Sequence, residues 1–327
     1  MSDTTSHKSG AQETFASAGD VAAPGATAPT TGGAPGASGA TEPAKERHGS
    51  LTADAWRDLR SSTTFWISAA MLSVLVLMAV APGLFTNVSP EDCQLSRSLG
   101  TPGSAAWFGY DFQGCDLYSR VVYGARASIL VGVLVTLGTT LLGGVIGAFA
   151  GFYGGWVDAL LSRIVDIFFG LPLILGGLVF LSVFRLEGIW GVVLALTLLG
   201  WTSAARILRS SVIATKNVDY VAAARGLGAG DGRILLRHVL PNSLAPAIVV
   251  AMISLGVFIA SEATLSFLGI GLQPPTISWG IQISDASRYF LQAPHILLFP
   301  SLFLSLTVLS FILLGDAVRD ALDPKLR

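Results

Sequence analysis

Tyr220-Val-Ala-Ala-Ala-Arg-Gly-Leu-Gly-Ala-Gly-Asp-Gly-Arg-Ile-Leu-Leu-Arg-His-Val-Leu-Pro241 is a polar, glycine-punctuated stretch flanked on both sides by strongly apolar sequence. Its alanine run predicts a short helix over 220–227, closed by Gly228 in the left-handed conformation that ends many helices. Asp231 is placed to cap a second helix through Ile234, Leu235 and Leu236. That helix is expected to stop at Leu240-Pro241, because proline lacks an N–H and pushes the residue before it out of helical geometry. The product is a helical hairpin carrying Arg225, Arg233, Arg237 and His238. Leu235, Leu236 and Val239 give it an apolar stripe, and such a stripe on a polar loop calls for a covering partner. The plainer alternative is a connecting loop whose cations only follow membrane topology.

Outward from this stretch the chain reads as membrane. Charged residues make up 13% of the sequence, about half the roughly 25% of soluble domains. The net charge of −1 excludes a nucleic-acid protein, which needs a dense basic surface. Apolar runs predict six spans, at about 65–85, 129–150, 164–183, 188–207, 245–268 and 296–314, each near the length a bilayer requires. The second is rich in glycine, which lets helices approach closely in lipid. The third is interrupted by Gly170-Leu-Pro172 and is expected to kink.

The remaining segments divide the chain. Residues 1–50 are rich in Ala, Gly, Thr, Ser and Pro, and are read as a disordered tail without a secretory leader. Residues 51–85 hold a membrane-surface segment and the first span. Residues 86–126 are a polar segment with both cysteines, Cys93 and Cys115. Two readings stand for these: a disulfide closing a loop of about twenty residues, or two separate thiols. Residues 127–327 carry the other five spans. With the N-terminus inside, fifteen of the twenty Lys and Arg residues fall on the cytoplasmic side, and Arg97, Arg120, Arg126, Arg185 and Arg288 on the other. By the positive-inside rule this puts both termini and the hairpin in the cytoplasm, and 86–126 outside.

Catalytic machinery is not expected. No Gly-x-x-x-x-Gly-Lys-Ser/Thr phosphate loop occurs. Gly226-x-Gly228-x-Gly230-x-Gly232 lacks the spacing and the preceding strand of a dinucleotide loop. No cofactor or metal is expected to bind this chain. Two carboxylates fall at membrane depth, where a charge usually faces a bundle interior or an aqueous path. Glu262 lines or gates such a path, or is satisfied by Ser261, Thr264 and Ser266 between packed helices. Asp166 has the same pathway reading, or reaches the interface near Arg163.

Ala223-Ala224, Gly228 and Leu240-Pro241 resemble, in kind and spacing, the cytoplasmic signature loop of ATP-binding-cassette (ABC) importer permeases. Ser261-Glu-Ala-Thr-Leu-Ser-Phe-Leu-Gly269, Gln273-Pro-Pro-Thr-Ile-Ser-Trp-Gly280 and Leu314-Gly-Asp-Ala-Val-Arg-Asp-Ala-Leu-Asp-Pro324 resemble the C-type subunit of oligopeptide and dipeptide permeases, over about residues 60–327. Ala222 departs from the family's glutamate, and Tyr110 and Cys115 depart from its usual Thr and Arg. The resemblance implies an all-α integral membrane protein with the six-helix type I ABC importer permease fold, in a bacterial cell membrane. It implies a coupling loop at about 210–244, in which Ala223, Ala224, Arg225, Gly228, Leu235, Leu236, His238, Leu240 and Pro241 dock an ATPase. It implies a homologous second permease as heterodimer partner, two ABC ATPase subunits that hold ATP-Mg, and an extracytoplasmic substrate-binding protein. Dipeptides or oligopeptides are the expected cargo, with nickel or another small solute as the alternative. From other classes, an ion-gradient-driven transporter needs coupling carboxylates on its path, and a structural membrane protein needs none.

Overall fold

The computed structural model describes residues 51–322, so the tail at 1–50 and residues 323–327 lie outside the described residues. Helix α1 (Leu51–Ser61) leads into α2 (Thr63–Val80), whose start is capped by the Ser62 hydroxyl accepting the Phe65 amide. The first span therefore ends five residues before the sequence reading placed it, and Pro82–Leu84 forms a 3-10 turn.

The second span is longer than hydropathy suggested. Helix α3 (Leu117–Tyr153) has 37 residues, about 55 Å at 1.5 Å per residue. It starts well before residue 129 because Asp116 caps it, accepting from the Ser119 amide at 2.8 Å. Its polar first turns are held by neighbours: Arg120 pairs with Asp111 at 2.8 Å, and Arg126 donates to the Ala79 carbonyl at 3.1 Å. Burial raises the Asp116 carboxyl above its ordinary range, and the Ser119 amide opposes that rise.

Before α3, Cys93 and Cys115 are joined in a disulfide, and Asp111 accepts the Gln113 and Cys115 amides with one oxygen. Closing a loop with a separation of 22 residues stabilises a fold by about 3 kcal/mol in the chain-entropy account. Reduction is therefore expected to expose 86–116 to protease while the spans resist. Equal cleavage with and without dithiothreitol would count against that contribution.

The third span is broken rather than kinked. Helices α4 (Gly155–Phe169) and α5 (Leu173–Phe184) meet at 85°. Pro172 has no N–H for the helix to use, and Gly170 ends the turn before it. Helices α6 (Gly188–Gly200) and α7 (Thr202–Lys216) bend by 43° about Trp201. Then follow α8 (Asp219–Gly226), α9 (Asp231–Ile234) and α10 (Leu240–Phe267). The chain finishes with α11 (Trp279–Ser287) and α12 (His295–Leu322). Among the described residues four helices are long and apolar enough to cross a bilayer, or six counting each bent pair as one.

Packing follows the glycines. Gly143, Gly147 and Gly151, one turn apart on α3, lie against Trp201 at the bend and Ala205 and Arg209 of α7, with no room for a Cβ. Small residues at that spacing let two backbones touch, which is how helices gain contact in lipid. Buried Ala148, Phe152, Leu208, Val212, Val221, Ile234, Leu235 and Val239 then form one apolar cluster between α3, α7 and the hairpin.

Candidate functional site

The hairpin has the predicted first helix and corner but a different second half. Gly228 takes φ +84°. Its amide donates to the Arg225 carbonyl at 3.0 Å and the Ala229 amide to the Ala224 carbonyl at 3.1 Å. This is the paired closure of a Schellman motif, which satisfies carbonyls that a helix end otherwise leaves open. Asp231 is not the cap: Gly230 holds that position and Asp231 is the first helical residue, where its charge meets the positive end of the helix.

The second helix does not stop at Leu240-Pro241 either. A π turn over Leu235–Val239 joins α9 to α10, with Pro241 in the first turn of α10. Proline brings no N–H and interrupts the ladder; the wider π turn, closed by the Leu240 amide on the Leu235 carbonyl, accommodates that interruption. Side chains reach the carbonyls of that turn: Asn242 donates to His238 at 2.7 Å and Ser243 to Val239 at 2.8 Å. The Tyr220 hydroxyl donates to the His238 carbonyl at 3.4 Å, tying α8 to this turn.

The apolar stripe divides. Leu235 and Val239 are buried within the chain's own cluster, and only Leu236 is exposed. Leu240 packs partly against that cluster and His238 is half-buried, while Pro241 is exposed. The free surface is instead the tip: Ala222, Ala223, Arg225, Gly228 and Leu227 are exposed, Leu227 to 89%, and Ala224 is half-buried.

The hairpin is bolted to the spans by contacts the linear sequence does not reveal. Lys216 donates to the Gly151 and Phe152 carbonyls at 2.6 and 3.2 Å, placing a cation at the C-terminus of α3. Ser211 donates to the Ser243 carbonyl at 3.0 Å and the Ser243 and Thr215 hydroxyl oxygens lie 3.0 Å apart, linking α7 to α10. The hairpin is therefore joined to α7 and α10 through packed and hydrogen-bonded side chains.

Asp166 pairs with Arg206 at 2.7 Å, not with Arg163, and that guanidinium lies 3.8 Å from the centre of the Phe169 ring. Asp158 is gripped by Arg209 through both oxygens, one bond being 2.6 Å. These α4–α7 pairs border a cavity of about 400 Å³ lined also by Ser162, Val165 and Ala205. Glu262 is fully buried and so faces no open path in this conformation. Of the three hydroxyls expected beside it only Ser266 bonds it, at 2.9 Å; Ser261 and Thr264 bond carbonyls of their own helix. Neither hydroxyl is free for the carboxyl, because Ser and Thr in a helix readily turn back on the preceding turn.

Comparison with known proteins adds to this geometry. The family model described as binding-protein-dependent transport system inner membrane component matches residues 143–327. That of the N-terminal TM domain of oligopeptide transport permease C matches residues 50–99. The dipeptide transport system permease protein DppC of Alkalihalophilus pseudofirmus is 36% identical over 274 residues, 84% of this chain and 90% of that protein. The glutathione transport system permease protein GsiD of Pectobacterium atrosepticum is 39% identical over 263 residues, 79% and 87% of the two chains. A chain of the MetNI methionine ABC transporter, in an inward-facing conformation, superposes with TM-score 0.52 at 19% identity. It covers 62% of this chain and 96% of that one, and shares the fold.

Proposed function

The chain belongs to the family of binding-protein-dependent transport system inner membrane components and has the type I ABC importer permease fold; from that premise we propose that it imports dipeptides or oligopeptides as one half of an ATP-driven translocation pathway. It is a multi-pass membrane transport subunit and not an enzyme. Relatives named for dipeptide and for glutathione transport share a peptide cargo, which supports the peptide class.

The observation that carries the reading is the hairpin: an exposed tip closed by Gly228, fixed through a buried apolar face to α3 and α7. Such a tip suits a groove on a cytoplasmic ATPase. ATP-Mg would be held by two such partner subunits, since this chain has no phosphate loop of its own. Closure of the ATPase pair would displace the tips and switch the pathway between its two openings. A homologous second permease would supply the other half, and an extracytoplasmic binding protein would deliver the peptide. Both termini would be cytoplasmic and the disulfide segment outside, where disulfides persist. The enclosure of Glu262 removes one of the two carboxylates that the ion-gradient reading could use on its path.

The test is uptake of labelled di- and oligopeptides, with nickel ions as contrast, in cells lacking the chain and in cells with it restored. Loss and recovery of peptide uptake is expected. A change in nickel uptake alone would sink the peptide assignment.

A further inference from the structure

The surroundings of Glu262 come from three parts of the chain. Ser266, one turn along α10, donates to Oε1. Ser128 of α3 and Ser278, the N-cap of α11, lie beside the same carboxyl without a hydrogen bond to it, and Oε2 has no hydrogen-bond partner. Each of the three serine oxygens already accepts a backbone amide. Ser266 takes Leu272 at 2.9 Å, Ser128 takes Trp279 at 3.3 Å, and Ser278 takes Ile281 at 3.3 Å. A hydroxyl whose oxygen is accepting still has its own proton to give. All three amides lie in the run that leads into α11 and forms its first turn. One of these chains, from the Leu272 amide through the Ser266 hydroxyl, ends on Oε1 of the carboxyl, and Ser128 and Ser278 bring the other two amides beside it.

A carboxyl suits this place, since Oε1 takes the Ser266 proton and Oε2 is a second acceptor beside the Ser128 and Ser278 hydroxyls. An amide in its place has one accepting oxygen, and its nitrogen adds donors where donors already gather. We propose that Glu262 is a positioning residue that fastens the 269–287 segment to α3 and α10 and so sets where α11 stands. The glycines of the segment agree. Gly280 lies against the Ala263 backbone and the Ser266 side chain, and Gly271 against Ser266 and the Leu265 backbone, leaving no space for a Cβ at either. The Trp279 indole and the Gln282 amide hold α11 to the Val121 and Arg120 carbonyls of α3, both at 2.9 Å. Loss of Glu262 therefore loosens α11 without releasing it. The placement of α11 does not depend on which solute the protein carries.

The test uses the purified complete transporter in nanodiscs, with both faces open to solvent, and a cysteine at Ala286, which is 3% exposed on α11. Cys93 and Cys115 are joined and add no thiol. Glu262→Gln is expected to raise the rate of maleimide labelling at Ala286→Cys about tenfold, by favouring local opening. The rate at Leu291→Cys, a position 94% exposed, stays unchanged. Glu262→Met fills similar volume without an acceptor and is expected to behave as Glu262→Gln. Ser128→Ala gives a smaller rise that largely vanishes in the Glu262→Gln background. Should the Glu262 variants not accumulate, Ser128→Ala and Ser278→Ala carry the same test at the same two positions. The proposal is overturned by unchanged labelling at Ala286→Cys, by slow labelling in the Met variant, or by equal rises at both reporter positions.

Discussion

Gly228→Val is expected to leave the chain in the membrane at its normal level and to lower solute uptake at least about tenfold, with Gly228→Asn retaining most of it. The reason is conformational. Gly228 sits at φ +84° with nothing within 4 Å of where a Cβ would stand, so the size of a new side chain costs nothing. The left-handed conformation does cost: about 1–2 kcal/mol for an ordinary L residue, more for a β-branched one, and least for Asn or Asp. Gly228→Asp is for this reason expected to be milder than Gly228→Val. Valine favours opening the Schellman closure, which frees the Ala224 and Arg225 carbonyls and re-aims the exposed tip. The buried face at Val221, Ile234 and Val239 keeps its packing, so insertion survives. Uptake measured against membrane abundance separates the two effects, and a valine variant that transports normally would remove the corner from the coupling path.

What the sequence revealed and what it hid have physical explanations. Hydropathy located the apolar helices, four long enough to cross a bilayer and six if each bent pair is one span, because the bilayer demands about 20 apolar residues whatever their neighbours do. It could not locate the start of α3, where Tyr118, Ser119, Arg120 and Arg126 look like loop. Those residues are helical because Asp111 and the Ala79 carbonyl, distant in sequence, satisfy the two arginines. Gly228 was legible because a left-handed corner has a one-residue signature. Pro241 misled, since the rule against proline concerns a regular helix interior and a π turn supplies another geometry. The apolar stripe was legible as apolar but not as covered: its partners Leu208 and Val212 lie on a helix that the periodicity of the hairpin cannot see. Asp166 and Arg206 are 40 residues apart, and no local pattern links them. The serines around Glu262 divide the same way, with Ser266 on its own helix and Ser128 and Ser278 brought in by the fold.

Asp158→Arg and Arg209→Asp are each expected to destabilise the protein strongly, and the double exchange to restore much of what either loses. Arg209 holds Asp158 with two nitrogens on two oxygens. Ser162 adds a third bond to that carboxylate at 3.1 Å. The side chain of Asp158 is 21% exposed, so a reversed charge there meets a like charge at contact distance with only partial screening by water. Coupling in such a network is about 1–3 kcal/mol in a double-mutant cycle. The neighbouring pair supplies the contrast, because Asp166 and Arg206 are 56% and 42% exposed. Solvent screening holds an exposed pair to about 0–1 kcal/mol, so Arg206→Asp should cost much less than Arg209→Asp. The difference matters for the broken span: α4 ends at the 85° bend, and the Asp158 pair is the firmer of the two ties that hold it to α7. Thermal unfolding of the solubilised protein, followed for both single variants and the exchange, measures the coupling directly. If the exchange is no more stable than the sum of its two single losses, the pair is not what fixes α4, and the apolar packing of Val165 with Trp201 and Ala205 must hold it instead.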